Sequence, residues 1–376
     1  MKILHVCNYF SFDMGYQDNL LPIGHKNIGN EVVIYASDRE CKYNHNINSR
    51  IVKPGIYNYH GIKLIRGKIF FEIVNRFVVF KNLYNSLNQE KPDFIFHRGI
   101  TSPSVFTVIK YKKKHRNCKL VFCVHADYNN SMQRKIMKIY HSFWGIIWKN
   151  MIKFTDKIFY VAPECKKFII NIYKIPGDKL EHLPLGGDIT TLEKHDYFRK
   201  KYRDRYRILE DEIVFIHTGK LPQKKKTELV IEAFNRIKDK KIILLIIGNI
   251  EESYKDEFSR IIKNNKIIYT GWKNADEIHK IFHAGDVLLQ PGSLSSVFAE
   301  GICCGLPVIL GDTLQGEYLI SYGNGVIIKD VTIESLVFQI KELINNPDKI
   351  KEMSKRSVIF AKKELSYDRL AERSLD

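Results

Sequence analysis

The sequence predicts an α/β protein built from two doubly wound, largely parallel sheets. Short apolar runs recur in two separate series, the stretches between them are polar or apolar at helical spacing, and 376 residues exceed what one hydrophobic core comfortably serves. The first series is Ile3 to Cys7, Val32 to Ala36, Phe94 to Phe96, Leu120 to Val124 and Lys157 to Val161. Such near-continuous runs suit strands covered on both faces. The second series is Ile213 to His217, Ile242 to Ile247, Ile267 to Tyr269, Val287 to Gln290, Val308 to Leu310 and Val326 to Ile328. Between the series, Leu183 to Glu212 is turn-rich and then densely charged, which places a hinge near Gly186 to Lys200.

Charge separates the two halves. The chain carries a formal +18, with 29 Lys and Arg against 14 Asp and Glu in residues 1–188, and 31 against 28 in the remainder. An excess held in the first half suits a domain that faces a polyanion, either an anionic membrane or nucleic acid, while the second half handles something small. The alternative is a charge that serves solubility alone. Seven cysteines, odd in number and without a C-x-x-C pair, are expected to be reduced thiols of a cytosolic protein. The opening MKILHVCNYF is already strand-like, so no signal peptide is expected, and no run of about 18 apolar residues predicts a spanning helix. Membrane contact, if any, is then peripheral.

Ligands of doubly wound sheets sit outside the carboxyl ends of the strands, so residues that follow the apolar runs are the candidates for chemistry. After Ile213 to His217 come Gly219 and Lys220, then Lys224, Lys225 and Lys226, then Leu229, Ala233, Phe234 and Ile237 at helical spacing. A strand, a basic loop and a helix start aim ammonium groups and backbone amides at one point, where an anion is stabilised. A solvated lysine run at a helix start is the plainer alternative. His125 follows Leu120 to Val124, and Gly15 follows the first strand, where its backbone can approach a phosphate closely. The stretch Asn129 to Phe154 interleaves Arg134, Lys135 and Lys138 with Trp144 and Trp148, a composition suited to an anionic bilayer interface. It also suits an ordinary helix packed on the first sheet with a wet basic face.

Taken in order, several segments resemble the family 4 glycosyltransferases, bacterial enzymes of the two-domain GT-B type. They are MKILHVCNYF with Gly15 shortly after, PDFIF at Pro92 to Phe96, VFCVHAD around His125, DKIFYVAPECKKF from Asp156 and LPLGGD at Leu183 to Asp188. They continue with TGKLPQKKK at Thr218 to Lys226, IIGN at Ile246 to Asn249, IIYTGW at Ile267 to Trp272 and AEGICCGLPVI from Ala299. The resemblance implies two Rossmann-like domains facing a cleft: an acceptor-binding, membrane-facing domain over 1–190, a nucleotide-sugar domain over 191–360, and a C-terminal helix over 361–376 that returns toward the first.

It also implies roles. The phosphate-binding basic pair falls on Lys220 and Lys225, the first being Arg in most of the family, so that a point charge replaces a bidentate fork. Cations in place where charge grows on a leaving diphosphate stabilise the transition state beyond the ground state. With no Asp-x-Asp motif in the chain, no metal and no cofactor are expected. Glu300 matches the glutamate that accepts from the donor's ribose hydroxyls. The family's other glutamate falls on Gly292, inside Gln290-Pro291-Gly292-Ser293-Leu294-Ser295-Ser296, a departure that assigns diphosphate or sugar contacts to amides and to Ser293, Ser295 and Ser296. Gly219, Gly271, Trp272 and Lys273 are expected around the nucleotide, and His125 near the reacting carbon.

The expected function is a retaining, metal-independent transferase. It moves a sugar from a nucleoside-diphosphate sugar to a lipid-linked glycan or lipopolysaccharide-type acceptor, as in O-antigen assembly, peripherally on the anionic inner face of the cell membrane and with no nucleic acid. A sugar-nucleotide epimerase of the same architecture needs acid and base groups around the sugar, of which only His125 is well placed. A nucleic-acid-binding protein would need a base-reading module, and the sequence holds none that is recognisable.

Overall fold

Every apolar run of both series forms a strand. In the computed structural model of the protein, residues 1–376 are described apart from 13, 42–48, 74–76, 133–134, 222–225, 239–240, 252–253, 263–265 and 293–294. The chain divides into two units, Met1–Pro184 with Tyr367–Asp376, and Leu185–Ser366.

The first unit contains β1 (Lys2–Val6), β2 (Glu31–Ser37), β3 (Gly55–Tyr59), β4 (Ile62–Gly67), β5 (Ile69–Ile73), β6 (Phe77–Phe80), β7 (Phe94–Arg98), β8 (Lys119–Val124), β9 (Lys157–Tyr160) and β10 (Leu180–His182). Eight of them form one sheet in the order β10-β9-β8-β7-β1-β2-β4-β3, parallel except where β3 runs against β4. A separate antiparallel hairpin joins β5 and β6. Strand order reverses at β1, whose Ile3 pairs with Val32 on one side and Phe94 on the other, so the loops after β1 and β7 flank a crevice.

The second unit contains β11 (Ile213–Leu221), β12 (Ile242–Ile250), β13 (Ile267–Tyr269), β14 (Val287–Gln290), β15 (Val308–Gly311) and β16 (Gly325–Ile328). All are parallel, in the order β13-β12-β11-β14-β15-β16. The two-residue period of β11 sends Val214 and Ile216 into one buried layer and Phe215 into the other. Here the switch point lies between β11 and β14.

Unit boundaries fall at Pro184 and Ser366, where the sequence suggested 190 and 360. Gly187 donates its amide to Leu365 O at 3.1 Å and bridges Ser366, which ties the segment after Pro184 to the second unit. Ala361 and Leu365 are buried in the second unit's core, so the terminal helix begins only at Tyr367. That helix, Tyr367–Leu375, lies on the helix Gln17–Asn27 of the first unit. A Cβ at Gly24 would come within 2.3 Å of Tyr367 O, so only glycine allows this approach. Polar locks fix the register: His25 Nε2 lies 2.8 Å from Ser374 Oγ, and Asn27 Nδ2 donates to Asp368 Oδ1 at 2.9 Å.

Candidate active site

In the second unit, strand ends converge at the switch point. Gly219 in β11 pairs with Gly248 in β12, and a Cβ on Gly248 would stand 1.9 Å from Gly219 O. Both have positive φ, 126° and 151°, so this narrow strand edge requires glycines. Lys220, next along β11, is placed by its backbone, opposite Asn249; Lys225 lies outside the described residues. The helix Thr227–Arg236 follows directly.

Gln290 ends β14, and its Nε2 donates to Thr218 O at 2.8 Å across the switch point. Gln290 Oε1 and Thr218 Oγ1 are buried and have no hydrogen-bond partner among the described residues. Two acceptor-capable oxygens without partners at a sheet's carboxyl edge are a polar surface poised for a ligand. Pro291 and Gly292 are buried, whereas Ser295 and Ser296 are half-buried ahead of the helix Val297–Cys303; Ser293 lies outside the described residues.

Glu300 sits on that helix with its side chain 12% exposed, and its carboxylate lies 3.7 Å from His279 Nε2. A Cβ on Gly187 would fall 3.0 Å from Glu300 Cα, which explains a glycine within Leu183 to Asp188. Gly271, with φ 73°, turns the chain beside β12, and its carbonyl accepts from Gly248 N at 3.0 Å. Trp272 follows with 48% of its surface exposed, while Lys273 pairs with Glu277 at 3.9 Å. Thus Gly219, Gly248, Gly271 and Gln290 are gathered along one strand edge.

In the first unit, His125 is the first residue after β8. Its Nε2 lies 2.8 Å from Gln17 Oε1, and the Cys123 thiol donates to the same oxygen at 3.3 Å. The loop is held in turn: Asn130 Nδ2 donates to His125 O at 2.8 Å, and Asp127 caps the short helix Tyr128–Ser131. Burial, and after it the charge of Arg98, lowers the His125 pKa well below the ordinary imidazole value, so the ring is neutral at physiological pH. Gly15 is half-buried in the loop between β1 and Gln17–Asn27. Beside it Arg98 pairs with Asp18 at 2.6 Å, and both line a small cavity with His5, Val6, Cys7 and Phe96. Gln17, Asp18 and Arg98 escaped the sequence reading because their partners lie far along the chain.

The helix Lys135–Met151 corrects one expectation. Trp144 and Trp148 are 1% and 0% exposed, so they do not face a membrane. Trp148 donates its indole N–H to Ile100 O at 2.7 Å, which allows that end of a large ring to be buried. Gly145, between them, lets the helix approach Ile172 O, to which a Cβ would come within 2.6 Å. Four apolar side chains instead point outward: Ile136, Ile139, Phe143 and Ile146, each at least 59% exposed. Lys138 and Lys149 are exposed on the same helix. Arg134 lies outside the described residues, and Lys135 is placed by its backbone only.

Comparison with known proteins yields matches to two family models. The model "Glycosyltransferase Family 4" matches residues 26–191, and "Glycosyl transferases group 1" matches residues 198–359. An uncharacterised glycosyltransferase of Methanocaldococcus jannaschii is 25% identical over 279 residues, covering 70% of this chain and 67% of that protein. Among solved structures, HepE from Anabaena in complex with UDP superposes with a TM-score of 0.73 at 14% identity, covering all of this chain and 98% of HepE. WaaG, a glycosyltransferase involved in lipopolysaccharide biosynthesis, gives 0.65 at 15% identity, covering all of this chain and 99% of WaaG.

Proposed function

Since the chain belongs to the family 4 glycosyltransferases, with their GT-B architecture of two Rossmann-like domains, we propose that it moves a sugar from a nucleoside-diphosphate sugar to a lipid-linked glycan or lipopolysaccharide-type acceptor. The observation that carries this reading is the carboxyl edge of the sheet where Gly219, Gly248 and Gly271 hold the backbone at positive φ, with open space at Gly271, near the unpartnered Gln290 Oε1 and Thr218 Oγ1. Glycines admit a diphosphate close to the backbone, and the lysines of the basic segment 220–226, which precedes Thr227 in the sequence, supply positive charge. Lys220 and Lys225 then take the charge that develops on the leaving β-phosphate, so no metal is required. Glu300 accepts from the ribose hydroxyls, and Trp272 and Lys273 neighbour the base.

His125, as a neutral imidazole, orients a hydroxyl of the transferred sugar or of the acceptor, and transfer proceeds with retention of configuration. The first unit takes the acceptor side. Its outward stripe of Ile136, Ile139, Phe143 and Ile146, flanked by Lys138 and Lys149, inserts into an anionic leaflet on the inner face of the cell membrane. No helix of the described residues is long and apolar enough to cross a membrane. HepE was solved with UDP and WaaG serves lipopolysaccharide assembly; both lend support to this assignment.

Incubation with UDP- and GDP-sugars and an undecaprenyl-linked acceptor tests it. The expected result is acceptor-dependent release of nucleoside diphosphate with a glycosylated lipid product. Conversion of the nucleotide sugar without acceptor would indicate an epimerase, and silence across a broad donor panel would contradict both.

A further inference from the structure

Glu300 is a carboxylate with 12% of its side chain exposed, and the group facing it is the His279 imidazole. His279 belongs to the helix Ala275–Phe282 and is 5% exposed. Its Nε2 is buried without a hydrogen-bond partner among the described residues and points toward Glu300 Oε2 at 3.7 Å. The two helices are held together there, since the thiol of Cys304, the residue that ends the Glu300 helix, donates to His279 O at 3.6 Å. Asp188 adds a second carboxylate, on the segment whose Gly187 abuts Glu300.

We propose that His279 is a positioning residue for the donor: its imidazolium holds the Glu300 carboxylate in place for the ribose diol, so that binding the nucleotide sugar draws a proton onto the protein. This rests on Glu300 being the ribose ligand. A charged imidazolium facing the Glu300 carboxylate fixes its position more firmly than a neutral ring would.

The groups around His279 fit this role. Glu300 and Cys304 face it from one helix, Asp188 from the preceding segment, and Asp276 and His283 lie on its own helix. Burial opposes its charge, yet Glu300, with Asp188 and Asp276, raises its pKa above the ordinary imidazole value. His283 goes the other way, pushed down to about 3 by burial and by His195 and His279, so the proton is held by His279. When the donor binds, the negative charge of its diphosphate joins that of Glu300 around the ring, which raises the imidazole pKa further. The sign follows: pairing is complete below the raised pKa and lost as pH rises through it. Donor affinity is therefore highest at acidic pH and falls with increasing pH.

Calorimetric titration of the full chain with UDP-glucose and with GDP-mannose provides the test, run in two buffers of different ionisation enthalpy. Neither ligand's diphosphate titrates near neutrality, so net proton uptake reports on the protein. The expected result is fractional proton uptake by the wild type and none by His279→Gln. That variant should bind donor roughly tenfold more weakly at about pH 6 and like wild type at about pH 8.5, with KM raised and kcat retained. Should His279→Gln fail to fold, the two-buffer comparison on the wild type decides alone. Donor binding without proton uptake, or an unchanged pH slope in the variant, overturns the inference while leaving the proposed function intact. Absence of binding by the wild type overturns both.

Discussion

Replacing Lys225 with alanine is expected to lower kcat by about 10² to 10³-fold, the range found when one preorganised donor to a developing negative charge is removed. The C–O bond to the diphosphate breaks as charge grows on the β-phosphate, and an ammonium already in place stabilises that charge without reorganisation. Donor affinity should fall less than kcat, because the bound diphosphate carries less charge at that oxygen than the transition state does. Lys225→Arg should recover much of the loss. Steady-state kinetics with the preferred nucleotide sugar measure this, and a change in kcat of less than about fivefold removes Lys225 from the chemistry.

A pair of substitutions on Lys135–Met151 should separate two roles of one helix. Trp148→Ala removes a fully buried ring and its hydrogen bond to Ile100 O, which should destabilise the first unit by about 3 to 5 kcal/mol. Chemical denaturation followed by a first-unit probe measures it. The double variant Ile139→Asp with Phe143→Asp, at positions 73% and 59% exposed, should leave the unfolding midpoint unchanged. Yet it should reduce binding to vesicles of phosphatidylglycerol and phosphatidylethanolamine by about 100-fold, through lost apolar insertion and added repulsion. If the double variant binds vesicles like wild type, the outward stripe is not the membrane face.

How far the fold was legible follows from burial. In the second sheet β12, β14 and β15 announce themselves as continuous apolar runs because they are buried on both faces, as do β1, β2, β7, β8 and β9 in the first. The edge strands β13 and β16 remain apolar though only partly buried. The strands β3 and β5 escape notice: Gly55–Tyr59 and Ile69–Ile73 each keep exposed positions, so no continuous buried run marks them. The tryptophans were misassigned because composition does not identify a face; helical spacing does. His141, Trp144, Gly145 and Trp148 share one side of the helix, whereas Ile136, Ile139, Phe143 and Ile146 share another.

Glu300 and the glycines could be read from local motifs. His279 and Gln17 could not: His279 acts on a carboxylate on a different helix, and Gln17 meets His125 from 108 residues away. Such pairs exist only once the parallel sheets bring the ends of distant strands together.

The central claim is that the edge of the second sheet binds a nucleoside diphosphate with its ribose on Glu300. Calorimetry of wild type and Glu300→Gln with UDP and GDP, each against its 2′-deoxy analogue, tests this most directly. Loss of the hydroxyl should weaken wild-type binding of the preferred nucleotide by roughly tenfold or more and change Glu300→Gln little, since hydroxyl and carboxylate form one interaction. Equal affinity of wild type for the ribo and deoxy nucleotides, or the same deoxy penalty in both proteins, would contradict the assignment.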